Sequence, residues 1–76
     1  MGNERIRYPM IGGKYDHYKG GRYLVLHIAN HTETGEAMVV YQSLIFGGVY
    51  VRPLSLWFDD VEIHGRIRER FELIPE

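Results

Sequence analysis

Arg22-Tyr23-Leu24-Val25-Leu26-His27-Ile28-Ala29-Asn30-His31-Thr32-Glu33-Thr34-Gly35-Glu36-Ala37-Met38-Val39-Val40-Tyr41-Gln42-Ser43-Leu44-Ile45-Phe46 sets a polar run between the two most apolar segments of the chain. In the first segment Leu24, Leu26 and Ile28 alternate with Tyr23, Val25, His27 and Ala29, a period of two that belongs to a strand. Apolar side chains on both parities predict burial on much of both faces. In the second, Met38, Val40, Gln42 and Leu44 alternate with Val39, Tyr41, Ser43 and Ile45, and a strand is predicted over 37–46. The polar run between them, His31 to Glu36, is too short for the helical crossover that parallel strands need. The pair is therefore an antiparallel hairpin, with Thr34-Gly35 in its loop.

Outward from this hairpin the same period continues in shorter pieces. Lys14-Tyr15-Asp16-His17-Tyr18-Lys19 alternates aromatic and polar residues and stops at Gly20-Gly21, which reads as a short strand and a turn. Downstream, Gly47-Gly48 makes a turn before a short strand, Val49-Tyr50-Val51-Arg52-Pro53, whose proline is suited to an edge or a strand end. Leu54 to Asp60 does not alternate, and Pro53 favours the start of a helical turn, so one turn of helix or 3₁₀ is expected there, with Trp57 or Phe58 plugging the core. From Val61 the alternation is the cleanest in the chain. Val61, Ile63, Ile67, Phe71 and Leu73 share one parity against Glu62, His64, Arg66, Arg68, Arg70 and Glu72, and one side is expected to be core, with Gly65 making a hairpin or a bulge. Residues 1–13, with Pro9 and Gly12-Gly13, predict a tail that is loosely ordered or added as an edge strand; residues 14–76 predict a single β domain. The fold class that follows is all-β, a small antiparallel barrel or roll of about five strands with one short helical turn near 54–60.

Composition excludes several classes of function. The 76 residues carry 9 Lys+Arg against 10 Asp+Glu, a formal net charge of −1, so there is no overall basic field for non-specific nucleic-acid binding. No apolar run approaches the roughly 20 residues of a membrane-spanning helix, and Met1 to Arg5 lacks the apolar core of a signal peptide. With no cysteine there is neither a disulfide framework nor a thiolate metal site. A soluble, cytoplasmic protein without membrane association is expected.

Three stretches resemble a known family. They are Tyr15-Asp16-His17-Tyr18-Lys19-Gly20-Gly21 with Tyr23, Val25 and Leu26; Ala29-Asn30-His31-Thr32-Glu33-Thr34 with Val39-Val40-Tyr41; and Tyr50-Val51-Arg52-Pro53. With Phe58, Val61, Gly65 and Arg70-Phe71 they resemble the small bacterial family known as domain of unknown function 1653, over about Tyr15 to Leu73. The resemblance implies an SH3-like barrel or roll that usually stands alone, and it brings no assigned activity. The chain departs from the family pattern at Glu69, where a proline usually precedes Arg70-Phe71, and at Tyr50, where tryptophan is more usual. The first departure is expected to loosen a turn, the second to alter any aromatic platform.

The candidate site residues are His17, Tyr18, His31, Thr32, Glu33, Thr34, Tyr41, Tyr50, Arg52 and Trp57. His31 to Thr34 place an imidazole, two hydroxyls and a carboxylate in one loop, where they are ordinary turn formers and also groups able to bond a ligand. Arg52 lies in an apolar stretch and needs an acceptor, either Glu33, Asp59-Asp60 or a ligand anion. The aromatic content of 13% in so small a domain predicts rings left on a groove. The expected function is thus a non-catalytic binding module for a peptide, a nucleotide or a partner protein. One alternative is a small hydrolase-like or nucleotide-acting enzyme with His31 as base and Glu33 orienting it; another is a structural homo-oligomer, dimerising through its tail or an edge strand. No cofactor is expected, and no metal, because His27 and His31 at i, i+4 do not converge at a strand end and a turn. Arg66, Arg68 and Arg70 with nearby tyrosines suggest single-stranded nucleic acid, against which the interleaved Glu62, Glu69 and Glu72 weigh.

Overall fold

A computed structural model of the chain describes residues 6–75. Seven strands and one 3₁₀ turn follow one another: β1 Lys14–His17, β2 Arg22–Asn30, β3 Ala37–Ser43, β4 Val49–Pro53, the 3₁₀ turn Leu54–Leu56, β5 Asp60–Ile63, β6 Arg66–Glu69 and β7 Phe71–Leu73. All pairings are antiparallel. They form a five-stranded sheet in the order β4-β3-β2-β1-β7 and a separate two-stranded sheet, β5-β6. Both sheets are open, which is compatible with an SH3-like arrangement but does not close it into a barrel by pairing. Seven strands replace the expected five or so because the C-terminal alternating stretch is cut at His64-Gly65 and again at Arg70.

The central hairpin forms as its sequence predicts, with two corrections. Val25 faces Tyr41 while His27 faces Val40, so Leu26 is an extra, bulged residue. Beyond the bulge the parity inverts. Tyr23 and Val25 pack on the core before it, Ile28 packs there after it, and His27 is exposed. The strand expected over 37–46 ends at Ser43. The Ser43 hydroxyl accepts the amides of Phe46 at 2.9 Å and Ile45 at 3.3 Å, and Gly47 takes a left-handed φ of 81°, so Leu44 to Phe46 form a turn. Phe46 is 86% exposed there, an apolar residue placed by turn chemistry against its hydropathy.

The core consists of Tyr15, Val25, Val39, Tyr41, Trp57 and Phe71. Its centre is the Trp57–Phe71 pair, with ring centroids 3.8 Å apart and planes within 2° of parallel. Tyr41 and Tyr15 meet Trp57 edge-on at 4.9 and 5.5 Å, the arrangement that ring quadrupoles favour. The 3₁₀ turn delivers the tryptophan: Pro53 enters it at φ −56°, and the Trp57 amide donates to the Leu54 carbonyl at 3.0 Å. The expected helical turn is present and shorter than 54–60.

The C-terminal alternation is the least faithful guide to burial. His64 (φ 51°) and Gly65 (φ 79°) form a two-residue turn of type I′ handedness between β5 and β6. That hairpin touches the five-stranded sheet only sparsely. Ile67 is consequently 68% exposed, although it shares a parity with buried Phe71. At the other end, residues 1–5 of the expected tail lie outside the described residues. Residues 6–13 form no strand, but Pro9 is buried. The Gly12 amide donates to the Val25 carbonyl at 2.8 Å and the Val25 amide to the Gly13 carbonyl at 3.0 Å, continuing the β1 side of β2. Arg7 stacks on Phe58 at 3.8 Å and pairs with Glu69, the residue standing where proline was expected.

Replacing Phe71 by Ala removes one partner of the central stack. Large aromatic truncations in cores cost about 3–5 kcal/mol, comparable to the whole stability of a domain this small. F71A is expected to be largely unfolded at 25 °C by circular dichroism and urea titration.

Candidate functional site

The hairpin tip and the aromatic face, both singled out in the sequence, are separate places in the structure. At the tip the His31 Nδ1 accepts the Glu33 and Thr34 amides at 3.1 and 3.4 Å, and Thr34 Oγ1 accepts the Glu36 amide at 3.1 Å. The His31 amide donates to the Glu36 carbonyl and the Gly35 amide to the His31 carbonyl, each at 2.8 Å. The imidazole thus does the work of a capping side chain, holding the turn that joins β2 to β3. Its Nδ1 lone pair is engaged, so the neutral ring offers only an Nε2–H donor, the opposite of what a general base requires. Among the described residues no hydrogen bond or ion pair links His31, Thr32, Glu33 or Thr34 to Arg52, His17 or the tyrosines.

The second place is built on Phe71. His17, at the end of β1, meets the Phe71 ring edge-on at 4.8 Å and lies 4.7 Å from Tyr18. Arg52, on β4 opposite Val39, sets its guanidinium carbon 5.6 Å from the centre of the same Phe71 ring. Strand order makes this meeting possible, because β7 returns beside β1 and carries Phe71 opposite His17. Tyr18 is flanked by the Arg70 guanidinium at 5.6 Å and the Lys19 ammonium at 5.7 Å. Tyr23 adds a fourth ring, 5.8 Å from Phe71 and 6.4 Å from His17.

The partners expected for Arg52 are not taken. Asp59 is engaged by Arg70, whose Nε and Nη2 donate to its two carboxylate oxygens at 2.8 and 2.9 Å. Arg52 donates through Nη1 to the Leu56 carbonyl at a long 3.4 Å, and its Nε is hidden from solvent with no acceptor. Among the described residues no carboxylate lies within ion-pair distance of it.

Two of the predicted platform residues belong to the interior. Trp57 is 0% exposed, so it supports the face from beneath instead of lining a groove, and Tyr41 is buried as well. Tyr50 stays on the surface, 5.8 Å from Tyr41, with its ring over Gly48, where an added Cβ would come within 2.6 Å of the Tyr50 hydroxyl. Lys19, Tyr23 and Phe71 were not among the candidates; Asp59 was weighed only as an acceptor for Arg52, and Arg70 only with Arg66 and Arg68 for nucleic acid. Their signal was present in the stretches that resemble the family, which include Lys19, Tyr23 and Arg70-Phe71, but only the paired strands put them side by side. Among the described residues no three His, Cys, Asp or Glu are grouped to hold a metal ion. A surface cleft of about 350 Å³ between Arg7, Glu36, Leu54 and Phe58 is separate from the cluster.

Electrostatics follow from this placement. Burial, then Arg52, Arg70 and Lys19, push the His17 pKa below the ordinary histidine range, with Asp59 opposing. The hydrogen bonds from Arg70 hold the Asp59 carboxyl below the usual carboxylate range against its desolvation. At neutral pH His17 is therefore uncharged. Its Nδ1 accepts the Lys19 amide at 3.1 Å, which leaves the proton on Nε2.

The fold and the cluster define a small open-sheet β domain with a cationic aromatic face. Residues 13–73 match the model of the family described as protein of unknown function, DUF1653, and the chain belongs to that family. It is similar to the crystal structure of a DUF1653 protein from Bordetella bronchiseptica, at 35% identity and a TM-score of 0.72, over 86% of this chain and 92% of that one. No curated protein matches.

The pH dependence of stability tests the placement of His17. As pH falls below about 6.5, the unfolded histidine takes up a proton that the folded one resists, so folding stability declines. The Asp59 contribution is present above about pH 4 and is lost as pH falls further, through its depressed folded pKa. Thermal midpoints are expected to drop from pH 7.5 to 5. His17→Asn, which keeps an acceptor for the Lys19 amide but cannot titrate, is expected to flatten that slope.

Proposed function

We propose that this protein is a non-catalytic binding module whose ligand face is the cluster of His17, Tyr18, Lys19, Arg52 and Arg70 around Phe71. The observation that carries this reading is the convergence of rings and N–H donors from β1, β4 and β7 on one buried aromatic stack. Binding sites of this kind combine apolar area with a few fixed polar groups, and a fully packed tryptophan beneath holds them in place. A catalytic reading on His31 and Glu33 lacks a free base, since the His31 lone pair closes its own turn.

The test is a set of amide chemical-shift titrations of the full chain with dipeptides, mononucleotides and short oligonucleotides. Saturable shifts are expected at His17, Tyr18, Lys19, Arg52 and Arg70. Shifts confined to Thr32–Thr34, or scattered over the surface, would overturn the assignment.

A second reading, a homo-oligomer, is favoured by β4. It is an edge strand of the five-stranded sheet, and its Val49, Tyr50 and Val51 are exposed in a row, with Arg52 and Pro53 guarding only its C-terminal end. Sedimentation at high concentration is then expected to show a dimer that Val51→Lys converts to monomer; a wild-type monomer throughout rules it out.

A further inference from the structure

We infer that the face around Arg52 receives an oxyanion, a carboxylate or phosphate group of its ligand, gripped by the Arg52 guanidinium with the His17 Nε2–H as a second donor. This rests on the proposed binding face and names the chemistry that the face accepts.

The first support is charge balance. Of the cations gathered there, Arg70 is matched by a two-point bond to Asp59, whereas Arg52 and Lys19 have no carboxylate within ion-pair distance among the described residues. A half-buried guanidinium without a counter-charge is costly, and an anion that bonds it removes the cost. The second support is hydrogen-bond polarity. The Arg52 Nη1 contact to Leu56 is long, and its Nε, which has no acceptor, is closed off from solvent, so a ligand meets the guanidinium through its Nη edge. The His17 Nδ1 is occupied by the Lys19 amide, so the imidazole faces a ligand as a donor. Asp59, the carboxylate whose charge acts on His17, is consumed by Arg70. What is left is a set of donors in need of an acceptor.

The third support is rigidity. The guanidinium and the imidazole both rest on Phe71, at 5.6 and 4.8 Å from its centre, and Phe71 is pinned by Trp57 at 3.8 Å. A planar fork held against a ring loses little freedom on binding and suits the two oxygens of a carboxylate or phosphate. A cationic ligand would meet like charge from Arg52, Arg70 and Lys19. A neutral ring could stack on Tyr18 but would leave the Arg52 donor unanswered.

The experiment is titration of the full chain with sodium phosphate and, separately, with sodium acetate, at constant ionic strength set by sodium chloride, followed by side-chain and amide NMR. Saturable shifts at Arg52 Nε–H, His17 and Lys19 are expected with at least one of the two. A response to phosphate alone identifies phosphate esters as the source, and a response to acetate alone identifies carboxylates. Arg52→Gln is expected to weaken the binding about tenfold or more, the loss of one charge-assisted contact. If R52Q does not fold, the exposed Lys19→Gln serves instead, with a smaller weakening expected. Shifts that chloride reproduces at equal ionic strength overturn the inference, as does wild-type affinity in R52Q. If uncharged ligands bind this face while phosphate and acetate do not, the inference fails and the binding module stands; if nothing binds here, both fail.

Discussion

The parallel contact between Trp57 and Phe71 is the constraint on which the rest of this small domain depends. A chain of this length cannot enclose many large side chains, and the two rings supply much of what it buries. They also come from distant parts of the sequence. Trp57 is set by a 3₁₀ turn after β4, and Phe71 by β7, which must travel through the β5-β6 hairpin before it pairs with β1. Their stacking therefore ties both edges of the five-stranded sheet to its middle, where Tyr15, Val25 and Tyr41 complete the core.

The candidate binding face inherits its geometry from that core. His17, Arg52 and Tyr23 all lie on Phe71 or beside it, so the ring sets their spacing. The polarity of the face has an equally local cause. Arg70 follows the β5-β6 hairpin and closes on Asp59 through both backbone and side chain, which withdraws the nearest acid from Arg52. The same pairing lowers the Asp59 pKa, while burial, then Arg52, Arg70 and Lys19, lower that of His17.

The hairpin tip teaches a different lesson about polar islands. His31, Thr32, Glu33 and Thr34 stand out in the sequence because they interrupt two apolar runs, and a cluster of such groups resembles a site. In the structure the His31 and Thr34 side chains are spent on the backbone of their own turn. A conspicuous motif in a loop can be conspicuous because the turn itself requires it.

The period-two alternation of Arg22 to Ser43, the short polar connection and the turn residues around it determined the antiparallel all-β class without reference to any other part of the molecule. Local rules suffice for that, because strand period and turn length act within a few residues. They failed where burial depends on what lies opposite. The bulge at Leu26 inverts which face is inside, and Ile67 is left in solvent on a hairpin that packs against little; Trp57, expected both as a core plug after its helical turn and on a groove, takes the core place. The candidate site was legible only in part for the same reason. His17, Tyr18 and Arg52 could be named from their types, but their meeting on Phe71, and the loss of Asp59 to Arg70, were decided by long-range strand pairing that no spacing along the chain encodes.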